Sequence, residues 1–189
     1  MDALALLELD SIARGYRVLD VMVKESPITI VQANLVEPGK FLILFGGGVA
    51  EVDAAWKIGI ETADDTVIDK VLLPGVHPRI WTAIAGERIE RDPDTLGVIE
   101  GASIAGIIEA ADRSVKDAAV TLLGLRVAPG LGGKGYYVVE GEQYDVEASI
   151  EAGTEILKAR GKFLRAERIA RPHRDWLGHL LRPAPFGGS

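Results

Sequence analysis

The chain has 189 residues, with 28 acidic and 21 basic side chains, three His and no Cys. The lack of Cys excludes disulfides, thiolate-held iron–sulfur or zinc centres and a Cys nucleophile, and a formal charge of -7 argues against general nucleic-acid binding. No apolar run reaches the roughly 20 residues that a bilayer span requires, and the start MDALALLELD lacks a basic signal-peptide head, so a soluble, cytoplasmic protein with no membrane partner is expected.

An apolar strand is expected over residues 3–9, then a helix N-capped by Ser11, whose hydroxyl can satisfy a free backbone N–H. Along that helix Ile12, Tyr16, Leu19 and Val23 recur at helical spacing. Two strands follow, PITIVQANLV (27–36) and FLILFG (41–46), then a helix over 49–61, a strand over 66–73 and a short helix over 78–86. After the polar joint GERIERDPDT (86–95) the same order returns: a strand over 95–100, then a helix capped by Ser103 with Ile104, Ile108, Ala111 and Val115 in its stripe. Strands over 119–127 and 136–141, a helix over 143–159, a strand over 163–170 and a helix over 173–181 complete it. The tail PAPFGGS (183–189) is expected to be disordered. This order predicts an α+β fold with helices on one face of a mostly antiparallel sheet.

The recurrence extends to residues. Shifted by 92, residues 4–30 lie on 96–122 with nine identities in 27 positions, among them Glu8/Glu100, Ser11/Ser103, Asp20/Asp112 and Lys24/Lys116. The offset grows to 94 at Gly59/Gly153 and is read as 95 at Arg79/Arg174 and Trp81/Trp176. Two tandem domains are therefore expected, 1–91 and 92–182. Hydrophobic residues make up 48% of the chain, more apolar surface than two domains of about 90 residues can hide alone, which suggests burial between subunits. Charge is uneven: residues 158–182 hold eight basic and two acidic side chains, a net of +6 that leaves -13 on the rest. That stretch is either a solvated face or a basic surface meeting an acidic one.

Catalytic patterns are weak. In APGLGGKG (128–135) Ala128 and Gly135 stand where a phosphate-binding loop needs Gly and a hydroxyl residue, so a wide hairpin loop is expected. His173 and His179 are six apart and do not share a helix face; with His77 they form no metal pattern. Glu8 and Glu100 are repeat-equivalent, and a structural role is expected for both; no catalytic residue, metal or cofactor is assigned.

Seven stretches in order, LALLELDSIARG (4–15), EPGKFLILFGG (37–47), VHPRIWTAIAG (76–86), LGVIE (96–100), EAADRSVK (109–116), APGLGGKGYYVVEG (128–141) and IARPHRDW (169–176), resemble bacterial microcompartment shell domains. The chain is similar to the tandem, unpermuted, trimeric branch of that BMC-domain family, that of propanediol-utilising compartments. The resemblance implies ferredoxin-like α/β sandwiches in a pseudohexameric homotrimer, a structural tile with a metabolite pore and no enzymatic activity. It implies as partners further copies of the chain, other hexameric and pentameric shell tiles and encapsulated enzymes. The pore loops would be Glu37, Pro38, Gly39 and Lys40 with Pro129, Gly130, Leu131, Gly132, Gly133 and Lys134. Lys24, Lys116, Arg171 and His173 match tile-edge positions, and Arg79 is grouped with them although LLPGVHPR (72–79) lacks the Arg-Pro-His form. The residue before Pro-Gly-Lys is a cluster-holding Cys in the propanediol-type branch; here it is Glu37, so a thiolate-held cluster is excluded. By that resemblance three Glu37 carboxylates near one axis would repel one another or recruit a cation, and Lys40, three residues away, could neutralise them instead. The alternative reading, from another class, is a soluble tandem ligand-binding regulator; an enzyme with its site between the domains is a third.

Overall fold

The computed structural model describes residues 1–127 and 130–181. The first half runs β1 (Ala3–Leu9), α1 (Ile12–Glu25), β2 (Thr29–Val36), β3 (Lys40–Gly47), α2 (Val49–Ala63), β4 (Val67–Pro74) and α3 (Pro78–Ile84). The second runs β5 (Thr95–Gly101), α4 (Ile104–Asp117), β6 (Thr121–Val127), β7 (Gly135–Gly141), α5 (Gln143–Ala159), β8 (Phe163–Ala170) and α6 (Arg174–Leu177). Each half folds its own antiparallel sheet, in the orders β2-β3-β1-β4 and β6-β7-β5-β8. This is the ferredoxin-like arrangement twice over. The Ser11 and Ser103 hydroxyls accept the Arg14 and Gly106 N–H groups at 3.2 and 3.1 Å, capping α1 and α4 as expected. The helix expected over 173–181 is regular only over Arg174–Leu177, and the tail 183–189 lies outside the described residues.

Strand register corrects one detail of the repeat. Ala3 faces Pro74 and Thr95 faces Ala170, so the offset at the last strands is 96, and the N-cap residues of α3 and α6 are His77 and His173. Arg79/Arg174 and Trp81/Trp176 are therefore not equivalent pairs. The position that matches Arg171 is Gly75: both have positive φ (47° and 76°), and both donate an N–H at 2.7 Å, to the carbonyls of Asp94 and Asp2. A left-handed residue is required there; glycine adopts it freely, and Arg171 does so at some steric cost.

Packing explains the apolar surplus. One face of β1 (Ala3, Ala5, Leu7, Leu9) meets Val18, Met22, Phe41, Ile43, Phe45 and Val52 in the first domain's own core. The opposite face carries Leu4 and Leu6, which with Leu42, Leu44 and Val71 cluster with Ile104, Ala105, Ile108 and Ala111 of α4. Strand β1 is thus covered on both sides, and ALALLEL has no exposed residue. Helix α1 turns Gly15, Val18 and Met22 inward, leaving Ile12, Tyr16 and Val23 exposed, Tyr16 at 59%. The matching stripe of α4 is buried because the first domain lies over it.

Candidate functional site

The two hairpin loops lie side by side. A Cβ on Gly133 (φ 80°) would stand 3.1 Å from the Glu37 carbonyl oxygen and 3.4 Å from Lys40 Nζ, so a side chain there would press against the neighbouring loop. Glu37, Pro38, Gly39, Gly130, Gly132 and Lys134 are exposed, Leu131 is half-buried and Gly133 is buried; Pro129 lies outside the described residues. Lys40 turns away from the loop surface. Its ammonium lies 3.1 Å from Glu8 Oε2, and its side chain is only 16% exposed. Lys40 therefore neutralises Glu8 rather than Glu37, because Glu8 is fully buried and needs a cation more than an exposed carboxylate does.

Glu8 is the centre of the joint between the domains. Its other oxygen accepts the Ala105 N–H at 2.8 Å, one of the orphan donors in the first turn of α4. The helix dipole and Lys40 both favour the negative charge at this spot. A second contact caps α3: Asp112 Oδ1 accepts the His77 N–H at 2.7 Å while its other oxygen holds Lys116 at 2.5 Å. A third joins α5 to β4, where Arg160 at the end of α5 bonds Asp69 at 2.8 Å, the Lys70 carbonyl at 3.1 Å, and Glu109. Arg79 supplies a fourth. It donates to the carbonyls of Leu122 (2.9 Å) and Leu123 (3.0 Å), at a register shift in β6, and to that of Glu87 (2.9 Å). Burial lowers the pKa of this guanidinium from its ordinary value, and Glu87 partly offsets that.

The expected edge residues divide accordingly. Lys24 is 71% exposed and, among the described residues, pairs with the exposed Asp20 at 2.6 Å. Arg171 and His173 are exposed, with His173 Nδ1 accepting the Asp175 N–H at 3.4 Å. Lys116 is partly engaged through Asp112, and Arg79 sits inside the domain joint rather than at a free edge. Among the described residues no group of three or more His, Asp or Glu is placed to hold a metal, and no helix is long and apolar enough to cross a membrane. The joint residues Asp69, Glu109 and Arg160 carry no signal in one repeat alone. Only a domain-by-domain charge comparison would have singled them out.

The sequence pattern of the BMC domain matches residues 3–76 and again 95–172. The chain belongs to the BMC-domain family. It is 36% identical to the bacterial microcompartment shell protein PduT of Citrobacter freundii, over 90% of this chain and 93% of that one. The carboxysome shell protein CcmK2 of Synechococcus elongatus is 38% identical over 44% of this BMC chain and 81% of its own length. In structure, the chain resembles a microcompartment protein from Desulfitobacterium hafniense, with a TM-score of 0.83 and 36% identity over 95% and 99% of the two chains. A fused, permuted hexameric shell protein of the RMM microcompartment shares the fold at a TM-score of 0.60 and 20% identity, over 82% and 81% of the chains. The role common to these BMC proteins is structural, in the shell of a bacterial microcompartment.

Proposed function

We propose that this chain is a shell tile, a homotrimer whose six domains surround a pore for small metabolites and whose edges join other shell tiles in the cytoplasm. The observation that carries the reading is the joint itself, which brings together unlike faces of two like domains. A contact of that kind leaves one open copy of each face and builds rings when the rotation closes. The exposed stripe Ile12, Tyr16 and Val23 supports it, since the same stripe of α4 is covered within the chain. The domains are proposed to divide between residues 91 and 92, and hexameric tiles, pentameric tiles and encapsulated enzymes are the proposed neighbours. No catalytic role is assigned. Native mass at low concentration tests the assembly: about 61 kDa is expected for three chains of 20.2 kDa. A monomer or dimer would overturn the trimer.

Loops 37–39 and 130–134 are proposed to alternate around the axis, with Glu37 and Lys134 as their charged residues. Lys40 is left out of the lining because it is paired with Glu8. Glu37→Gln should shift permeation of reconstituted shells toward anions; equal passage of anions and cations before and after the change would remove Glu37 from the lining. At the edge, Lys24→Glu should abolish lateral arrays in electron micrographs while native mass stays that of the trimer. Arrays that persist would remove Lys24 from the edge.

A further inference from the structure

Each face of the joint has a counterpart on the other domain, and the counterparts carry exchanged charges. On the sheet side, Glu8 faces Asp69 across β1 and β4, while Glu100 faces Arg165 across β5 and β8. On the helix side, Arg160 is the C-cap of α5, while Asp64 is the C-cap of α2. Within the chain the first domain's Asp69 bonds the second domain's Arg160 at 2.8 Å. The remaining pair, Arg165 and Asp64, is exposed, and among the described residues Arg165 pairs with the exposed Glu167 at 3.3 Å. The groups around Glu8 also have exposed counterparts: Glu100 for Glu8, Ala13 for Ala105 and Lys134 for Lys40.

We propose that the second domain of one copy docks on the first domain of another copy through a charge-reversed version of the internal joint. Arg165 pairs with Asp64 of the next copy, and Glu100 accepts the N–H of that copy's Ala13. The groove fits the same docking. Inside the chain α3 lies on β6, and the corresponding strand β2 borders a groove of about 580 Å³ lined by Gln32, Ala33, Asn34 and the exposed Leu35, where α6 of the next copy would lie. The basic stretch 158–182 and the acidic remainder of the chain acquire a use in this arrangement.

This inference rests on the trimer reading, and the test separates the two. The full chain, Arg165→Asp, Asp64→Arg and the double variant are compared by sedimentation velocity across a dilution series, with circular dichroism confirming the fold. Each single variant should raise the midpoint concentration for trimer dissociation by about tenfold or more, and the double variant should bring it back close to the parent value. Trimers unaffected by either single change would overturn the contact while leaving the trimer standing. Single variants that dissociate without rescue in the double would overturn the Arg165–Asp64 pairing. Glu100→Gln, a conservative change at an exposed position, should weaken the same trimer. A parent protein that is not a trimer would overturn the ring reading and this joint with it.

Discussion

Glu8→Ala is expected to lower the unfolding free energy by about 3–5 kcal/mol, the range for removing one partner of a buried ion pair. Three losses coincide. The Ala105 N–H loses its acceptor, Lys40 keeps its charge in a pocket only 16% exposed, and the shortened side chain leaves a void between β1 and α4. Glu8→Gln should lose less, since an amide oxygen still serves the N–H while the charge opposite Lys40 is gone. Glu100→Ala, the same change in the other repeat, should shift the chain's own stability by no more than about 0.5 kcal/mol, because Glu100 is exposed. Urea unfolding at a fixed, dissociating protein concentration measures all three. Equal losses at Glu8 and Glu100 would contradict the assignment of Glu8 to the joint.

Arg79→Met should cost about 2–4 kcal/mol, since a charged donor to two buried carbonyls is replaced by a side chain of similar reach that donates nothing. The carbonyls of Leu122 and Leu123 lose a partner at the irregularity of β6, and Glu87 loses its ion pair. The same variant separates two roles for this residue. If Arg79 acts in the domain joint, unfolding shifts to lower urea, whereas an edge residue would change lateral arrays and leave unfolding as it was. Lys24→Glu should behave in the opposite way, because Lys24 pairs with the solvent-exposed Asp20 and such pairs contribute little.

Much of the architecture was legible in the chain because its signals are local. Ser11 and Ser103 announce helix starts through hydroxyls that reach an N–H three residues on, and several strands are marked by short apolar runs. The expected β1, over 3–9, matches Ala3–Leu9 residue for residue. The loops were visible through their glycines. What those loops do with their neighbours was not, since the turn of Lys40 toward Glu8 depends on a carboxylate 32 residues away in the chain. The Arg79/Arg174 pairing failed for a related reason. Identity of residue type suggested an offset of 95, but the backbone at Gly75 and Arg171, both left-handed, establishes 96.

By itself, then, the sequence determined the elements, the duplication and the family, all of which follow from short-range periodicity, capping and residue order. Only the tertiary structure decided which surfaces are buried. Ile12, Tyr16, Leu19 and Val23 carry the same apolar spacing as Ile104, Ile108, Ala111 and Val115, yet the first set is largely exposed and the second largely covered. Periodicity reports that a helix has an apolar stripe, while burial depends on what packs against it. Here α4 has a second sheet over it, whereas the same face of α1 is open within the chain.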